Sequence, residues 1–100
     1  MFIVLLHYIQ PLAVVETHLA EHREFLDRHF AAGRFVASGP QVPRIGGVIL
    51  ARVGSRSELD EILAADPFYG AKVAQYQVIE FSPTKFADGA ADVLLAHASS

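Results

Sequence analysis

The sequence contains no cysteine. That absence excludes disulfides, thiolate metal sites and a cysteine nucleophile; it is compatible with a reducing compartment, and a cytoplasmic protein is expected. Positive charge is sparse too: eight Lys and Arg against eleven Asp and Glu give a formal net charge of −3. The basic side chains are scattered, without a run or interleaved aromatics to track a phosphate backbone, so nucleic acid is not an expected partner. Long apolar runs are missing as well. The N-terminal "MFIVLL" is too short to span a bilayer, has no basic residues ahead of it, and leads directly into His7 and Gln10; it reads as a buried strand, and no membrane association is expected. No serine sits in a GxSxG elbow, and the glycines form no GxGxxG or Walker pattern, which leaves serine-hydrolase, dinucleotide and nucleotide chemistry without support.

What is present is a chain of 100 residues, 52% of them hydrophobic. This suits one compact domain with a real core, small enough that association into a dimer would add stability. There is no repeat at fixed period, no low-complexity tract and no linker. "FIVLLHYI" (2–9) is nearly continuously apolar, as expected of a central strand covered on both faces or lying in an interface. Pro11 stops it. From about Val14 to Ala32 the period becomes helical, with Val15, Leu19, Leu26 and Phe30 on one stripe and Gly33 as the stop signal. "RFVASGP" (34–40) is a short strand ending in a turn, and "VILARV" (48–53) is a third strand broken by Gly54. Ser55 and Glu58 have capping-box spacing for a second helix bearing Leu59, Ile62 and Leu63. Asp66 and Pro67 open a short helical turn, and "YQVIEFSP" (76–83) supplies the fourth strand. The order strand, helix, strand, strand, helix, strand predicts a four-stranded antiparallel sheet with two helices on one face, the ferredoxin-like α+β arrangement βαββαβ. For residues 84–100, "AADVLLAHA" suits a short helix against a partner subunit, and Gly89 with the closing serines suits a mobile tail.

Three histidines, His18, His22 and His29, fall on the first helix. With Val15 at zero on a helical wheel, the apolar stripe runs from about 0° to 60°, and His22, His29 and His18 lie at about −20°, −40° and −60°. His22 is nearest the core and so most exposed to desolvation and to a fixed partner, the conditions that make an imidazole a tuned acid or base. A metal reading has the i, i+4 spacing of His18 and His22 in its favour. His29, however, lies about 10 Å further along the axis, too far to join metal–nitrogen bonds of about 2 Å, and no HExxH pattern is present. No metal and no cofactor are expected.

Asp66 in "ADPF" is the carboxylate candidate, with two readings. As the partner of His22 it would fix the imidazole tautomer and leave the other nitrogen free to exchange a proton with substrate. As a helix cap it would contribute about 1 kcal/mol to stability and nothing to chemistry. Ser38, Gly39 and Pro40 either line a pocket or simply end a strand. Arg34 and Arg44 flank that turn and could attract an anionic substrate, and Tyr8, Tyr69 and Tyr76 are candidate donors to a substrate oxygen.

The stretch "HREFLDRHFAAGRFVASGP", followed by "GGVILARV", "SRSELDEILAADPF" and "YQVIEFSP", resembles the YCII-related (YciI-like) family over residues 1–83. The specific parts are H-x-x-x-L opening at His22, G-x-x-x-x-S-G-P, and A-D-P-F. The resemblance implies a ferredoxin-like domain of the dimeric α+β barrel superfamily, with two sheets packed face to face across a two-fold axis. It also implies an active site pairing His22 with Asp66, with the turn Ser38–Pro40 near that pocket; Arg44, from its place beside the turn, is the expected substrate-binding arginine. One relative is a dehydrochlorinase acting on a chlorinated hydroxyquinol, and muconolactone isomerases share the superfamily. The expectation is a homodimeric, cofactor-free small-molecule lyase or isomerase using a His-Asp dyad; the alternative is a non-catalytic dimeric module that binds a small ligand or regulates a partner.

Overall fold

The structure, a computed structural model, describes residues 1–95. Strand β1 (Phe2–Tyr8) is central, because its β-branched and aromatic residues find cover on both edges: β3 (Gly46–Ala51) on one side and β4 (Ala74–Glu80) on the other. Strand β2 (Phe35–Pro40) lies beyond β3, and all three pairings are antiparallel, giving the order β2-β3-β1-β4. Between β1 and β2 run α1 (Leu12–Thr17) and α2 (Leu19–Ala31); between β3 and β4 run α3 (Arg56–Ala64) and α4 (Pro67–Gly70). This is the ferredoxin-like α+β arrangement.

Alternation along the strands decides the two faces. Phe2, Val4 and Leu6 of β1, with Ile49 and Ala51 of β3 and Ala74 of β4, point toward the helices and are buried with Val15, Phe25, Leu59, Leu63 and Phe68. On the other face stand Ile3 and Leu5, opposite Leu50 and Val48 of β3 and, for Ile3, Ile79 of β4. These five form an apolar, uncovered patch on that face, with Gln77 opposite Leu5: the first four are half-buried and Ile79 is exposed.

The single helix expected from Val14 to Ala32 is two helices. The chain leaves helical geometry at His18 (φ −107°, ψ 3°), whose N–H still reaches back to Val15 O. The interruption shifts the buried stripe: Val15 stays in the core, but along α2 the fully covered residues are His22 and Phe25, Leu19 and Leu26 are half-buried, and Phe30 is exposed. A wheel drawn through an unbroken helix carries the wrong phase past the break.

The caps follow the sequence. Ser55 Oγ accepts from Glu58 N at 3.1 Å, while the Glu58 carboxylate takes the N–H of Gly54 rather than that of Ser55. Helix α5 (Ala90–Leu94) lies in the C-terminal segment, and the Arg52 guanidinium ties it to the sheet by donating to Val93 O while its Nε donates to Gly33 O. Residues 96–100, the rest of that segment, lie outside the described residues. No helix among the described residues is long and apolar enough to cross a membrane.

Candidate functional site

Asp66 sits where α3 hands over to α4. Its extended backbone (φ −67°, ψ 127°) precedes Pro67, whose fixed φ starts the next helical turn without losing a needed N–H. Oδ1 accepts from Phe68 N at 3.0 Å, so the cap reading is correct. The pairing is equally present, because the same Oδ1 lies 2.8 Å from His22 Nδ1. One carboxylate does both, held across 44 positions of sequence by the packing of α4 against α2.

Burial makes the pair geometrically strict. Asp66 is 1% exposed and His22 8%. The imidazole lies flat on the Phe68 ring, with centroids 3.9 Å apart and planes within 4°, and Tyr8 meets the same phenyl ring edge-on. The stack fixes the plane of the imidazole and the carboxylate fixes its rotation. A carboxylate only accepts, so Nδ1 donates the hydrogen bond to Asp66. Every buried side-chain nitrogen and oxygen among the described residues has a partner, and His22 lines a cavity; with Nδ1 engaged by Asp66, Nε2 is the ring nitrogen left without a hydrogen bond among the described residues.

The cavity has a volume of about 550 Å³. Leu6, Leu19, Leu26, Ile49 and Phe68 make it largely apolar, and Ser38, Gly39 and Pro40 of the edge strand form one wall. At its rim Arg44 donates to Glu16 Oε1 at 3.1 Å, and Arg23, next in sequence to His22, lines it too. Thus His22, Ser38, Gly39, Pro40 and Arg44 share one cavity, with Asp66 directly behind His22. Arg34 does not join them: it lies beside His29 Nδ1 at 3.4 Å and Glu58 Oε1 at 3.9 Å.

His18 marks the helix break and His29 packs between Phe25 and Phe35, centroids at 4.8 and 5.1 Å. Burial, then the charges of Arg34 and Arg28, hold His29 below its ordinary pKa, with Asp66 acting the opposite way. No group of three or more His, Cys, Asp or Glu among the described residues is arranged to hold a metal ion. The tyrosines divide: Tyr8 lines the cavity, Tyr69 is exposed beside Tyr76, and Tyr76 turns its hydroxyl onto Asp66 Oδ2 at 2.7 Å.

Three features were missed in reading the sequence: the Phe68 stack, the Tyr76 contact, and the roles of Glu16 and Arg23 in the wall. Only for Tyr76 was a signal available. It alternates with Ala74 and Val78 in β4, which places it on the helix-facing side.

The sequence profile of the YCII-related domain matches residues 1–82. The chain belongs to the YCII-related family. No curated protein matches it in sequence. Among solved structures, this YCII-related chain is similar to 5-chloro-2-hydroxyhydroquinone dehydrochlorinase from Burkholderia phenoliruptrix AC1100 in complex with 2,5-dihydroxybenzoquinone. The match has a TM-score of 0.69 at 19% identity and covers 82% of this chain and 94% of the other. At that identity the likeness is one of fold.

Proposed function

We propose that this YCII-related protein is a cofactor-free lyase or isomerase for a small, ring-sized molecule, with His22 as the proton-transferring group and Asp66 as its positioning partner. The observation that carries this reading is the 2.8 Å contact between His22 Nδ1 and the buried Asp66, which leaves Nε2 as the nitrogen available to a cavity of about 550 Å³ that His22 lines. In an elimination, Nε2 takes a proton from carbon, the C–H electron pair becomes the new double bond, and the group on the adjacent carbon leaves with its bonding pair. In an isomerisation the imidazolium returns the proton at another carbon. Either way Asp66 stabilises the positive charge that forms on His22.

The walls suit a flat substrate with apolar faces and an oxygen substituent. Leucine and phenylalanine side chains pack the faces, while Ser38 and the backbone of Gly39 and Pro40 provide polar contacts along one edge. Arg44 and Arg23 favour an anionic or acidic oxygen at the rim. The dehydrochlorinase of similar fold was solved with such a ring, 2,5-dihydroxybenzoquinone, which supports the choice of substrate class. The protein acts, in this reading, as a cytoplasmic homodimer joined through the uncovered sheet face.

Turnover of ring lactones and halogenated hydroxyquinols, followed optically, tests the reading. His22→Ala is expected to lower kcat by about 10²- to 10⁴-fold, the usual contribution of a positioned acid or base, and Asp66→Asn to lower it in the same direction. Unchanged turnover in both variants would sink the mechanism. Ligand binding without turnover, at an affinity indifferent to His22, would instead make the protein a binding module.

A further inference from the structure

Asp66 has more holding it than a cap and a histidine. Strand β4 turns Tyr76 toward the helices, and its hydroxyl donates to Oδ2, while Phe68 N and His22 Nδ1 share Oδ1. Three donors converge on one carboxylate that is 1% exposed. Tyr76 does not line the His22 cavity. It borders a separate groove of about 170 Å³ with Arg56, Asp60 and Tyr69, and its hydroxyl is engaged by Asp66 Oδ2 at 2.7 Å. A role for Tyr76 in the chemistry therefore has to pass through Asp66.

The two oxygens of a carboxylate share one charge. A donor at Oδ2 draws electron density from Oδ1 and makes it a weaker acceptor, while also fixing the plane in which Oδ1 faces Nδ1. We propose that Tyr76 is a positioning residue that sets the strength and direction of the His22–Asp66 hydrogen bond, and through it the basicity that His22 offers to the cavity. Phenylalanine would fill the same volume and leave Oδ2 without its donor. Burial, followed by the adjacent Asp66 charge, pushes the phenol's pKa well above its ordinary value, so the hydroxyl remains a donor throughout the neutral range. The other titratable groups around the pair are Tyr8 from β1, Glu16 from α1, Arg23 and His29 from α2, and Arg44 from the β2–β3 loop. None of them hydrogen-bonds to either side chain among the described residues.

The inference rests on the pairing that underlies the proposed function but not on turnover, and the test needs no substrate. In the full-length protein labelled with ¹⁵N-histidine, the His22 Nδ1–H proton is followed by NMR and assigned by its loss in His22→Asn. In Tyr76→Phe the freed carboxylate accepts more strongly, and the resonance is expected to move downfield. With 3-fluorotyrosine at position 76, a more acidic and stronger donor, it is expected to move upfield. A resonance that stays at its wild-type position in both proteins, or moves the other way in either, overturns the proposal. So does a drop in Tm without a shift, which would make Tyr76 structural only. Failure of the proton-transfer reading looks different: the shifts appear as expected while His22→Ala leaves turnover intact.

Discussion

At the residue scale, Phe68 N–H decides how the site answers substitution of Asp66. It requires an oxygen at the Oδ1 position, so in Asp66→Asn the carbonyl oxygen keeps that place and the amide nitrogen falls at Oδ2, facing the Tyr76 hydroxyl, which can rotate to accept. His22 then still finds an acceptor at Nδ1. The expected result is an unchanged Nδ1–H tautomer, read from ¹⁵N imidazole shifts, alongside lower turnover from the missing charge; an Nε2–H tautomer would show that the amide had flipped. His29 supplies a pH prediction. Its folded pKa is depressed, so below about 6.5 the unfolded chain binds the proton more readily, and stability falls as the pH drops through that window toward the folded value. The urea midpoint is expected to fall between about pH 7 and about pH 5.5, and to fall less in His29→Gln, which has no proton to bind.

At the scale of elements, the close approach of two strands and the break between two helices have different origins in the sequence. A Cβ at Gly46 would lie 1.7 Å from Leu6 O, a backbone atom that cannot step aside, so glycine is required where β3 begins its pairing with β1. Gly46→Ala is expected to destabilise the protein by about 3 kcal/mol or more, measured by urea denaturation, because the sheet itself must shift. The capping of α3 by Ser55 and the start of α4 at Asp66 and Pro67 were legible in the sequence, since both depend on residues within one turn of each other. The break at His18 was not: no proline or glycine marks it, and Val14 to Ala32 reads as one continuous pattern. That break put Phe25 in the core and Phe30 outside it, the reverse of the uninterrupted wheel.

At the scale of the whole molecule, the sheet has one covered face and one open one. Ile3, Leu5, Val48, Leu50 and Ile79 form an apolar patch on the open face, and burying it against a second copy would remove a hydrophobic surface from water. Sedimentation equilibrium is expected to give twice the chain mass of 10.9 kDa, with Leu5→Glu and Leu50→Glu each shifting the protein toward monomer, since a charge on this face would be desolvated in the interface. A monomer at all concentrations would show that the face is not an interface between copies. The cavity lies on the opposite, helix-facing side, along the β2 edge.

By itself the sequence determined the order of the four strands and the helical connections between them, the ferredoxin-like class, and that His22 is the most buried of the three neighbouring histidines. Those follow from periodicity, capping residues and turn chemistry, which act over a few positions, and the motifs around His22 and Asp66 carried the family. Only the tertiary structure decided that Asp66 is cap and partner at once, that Tyr76 holds its second oxygen, and that Arg44 rather than Arg34 reaches the cavity. Each of these depends on side chains that are remote in sequence meeting at hydrogen-bond distance, and no local signal encodes such a distance. It is set by how the helices pack on the sheet.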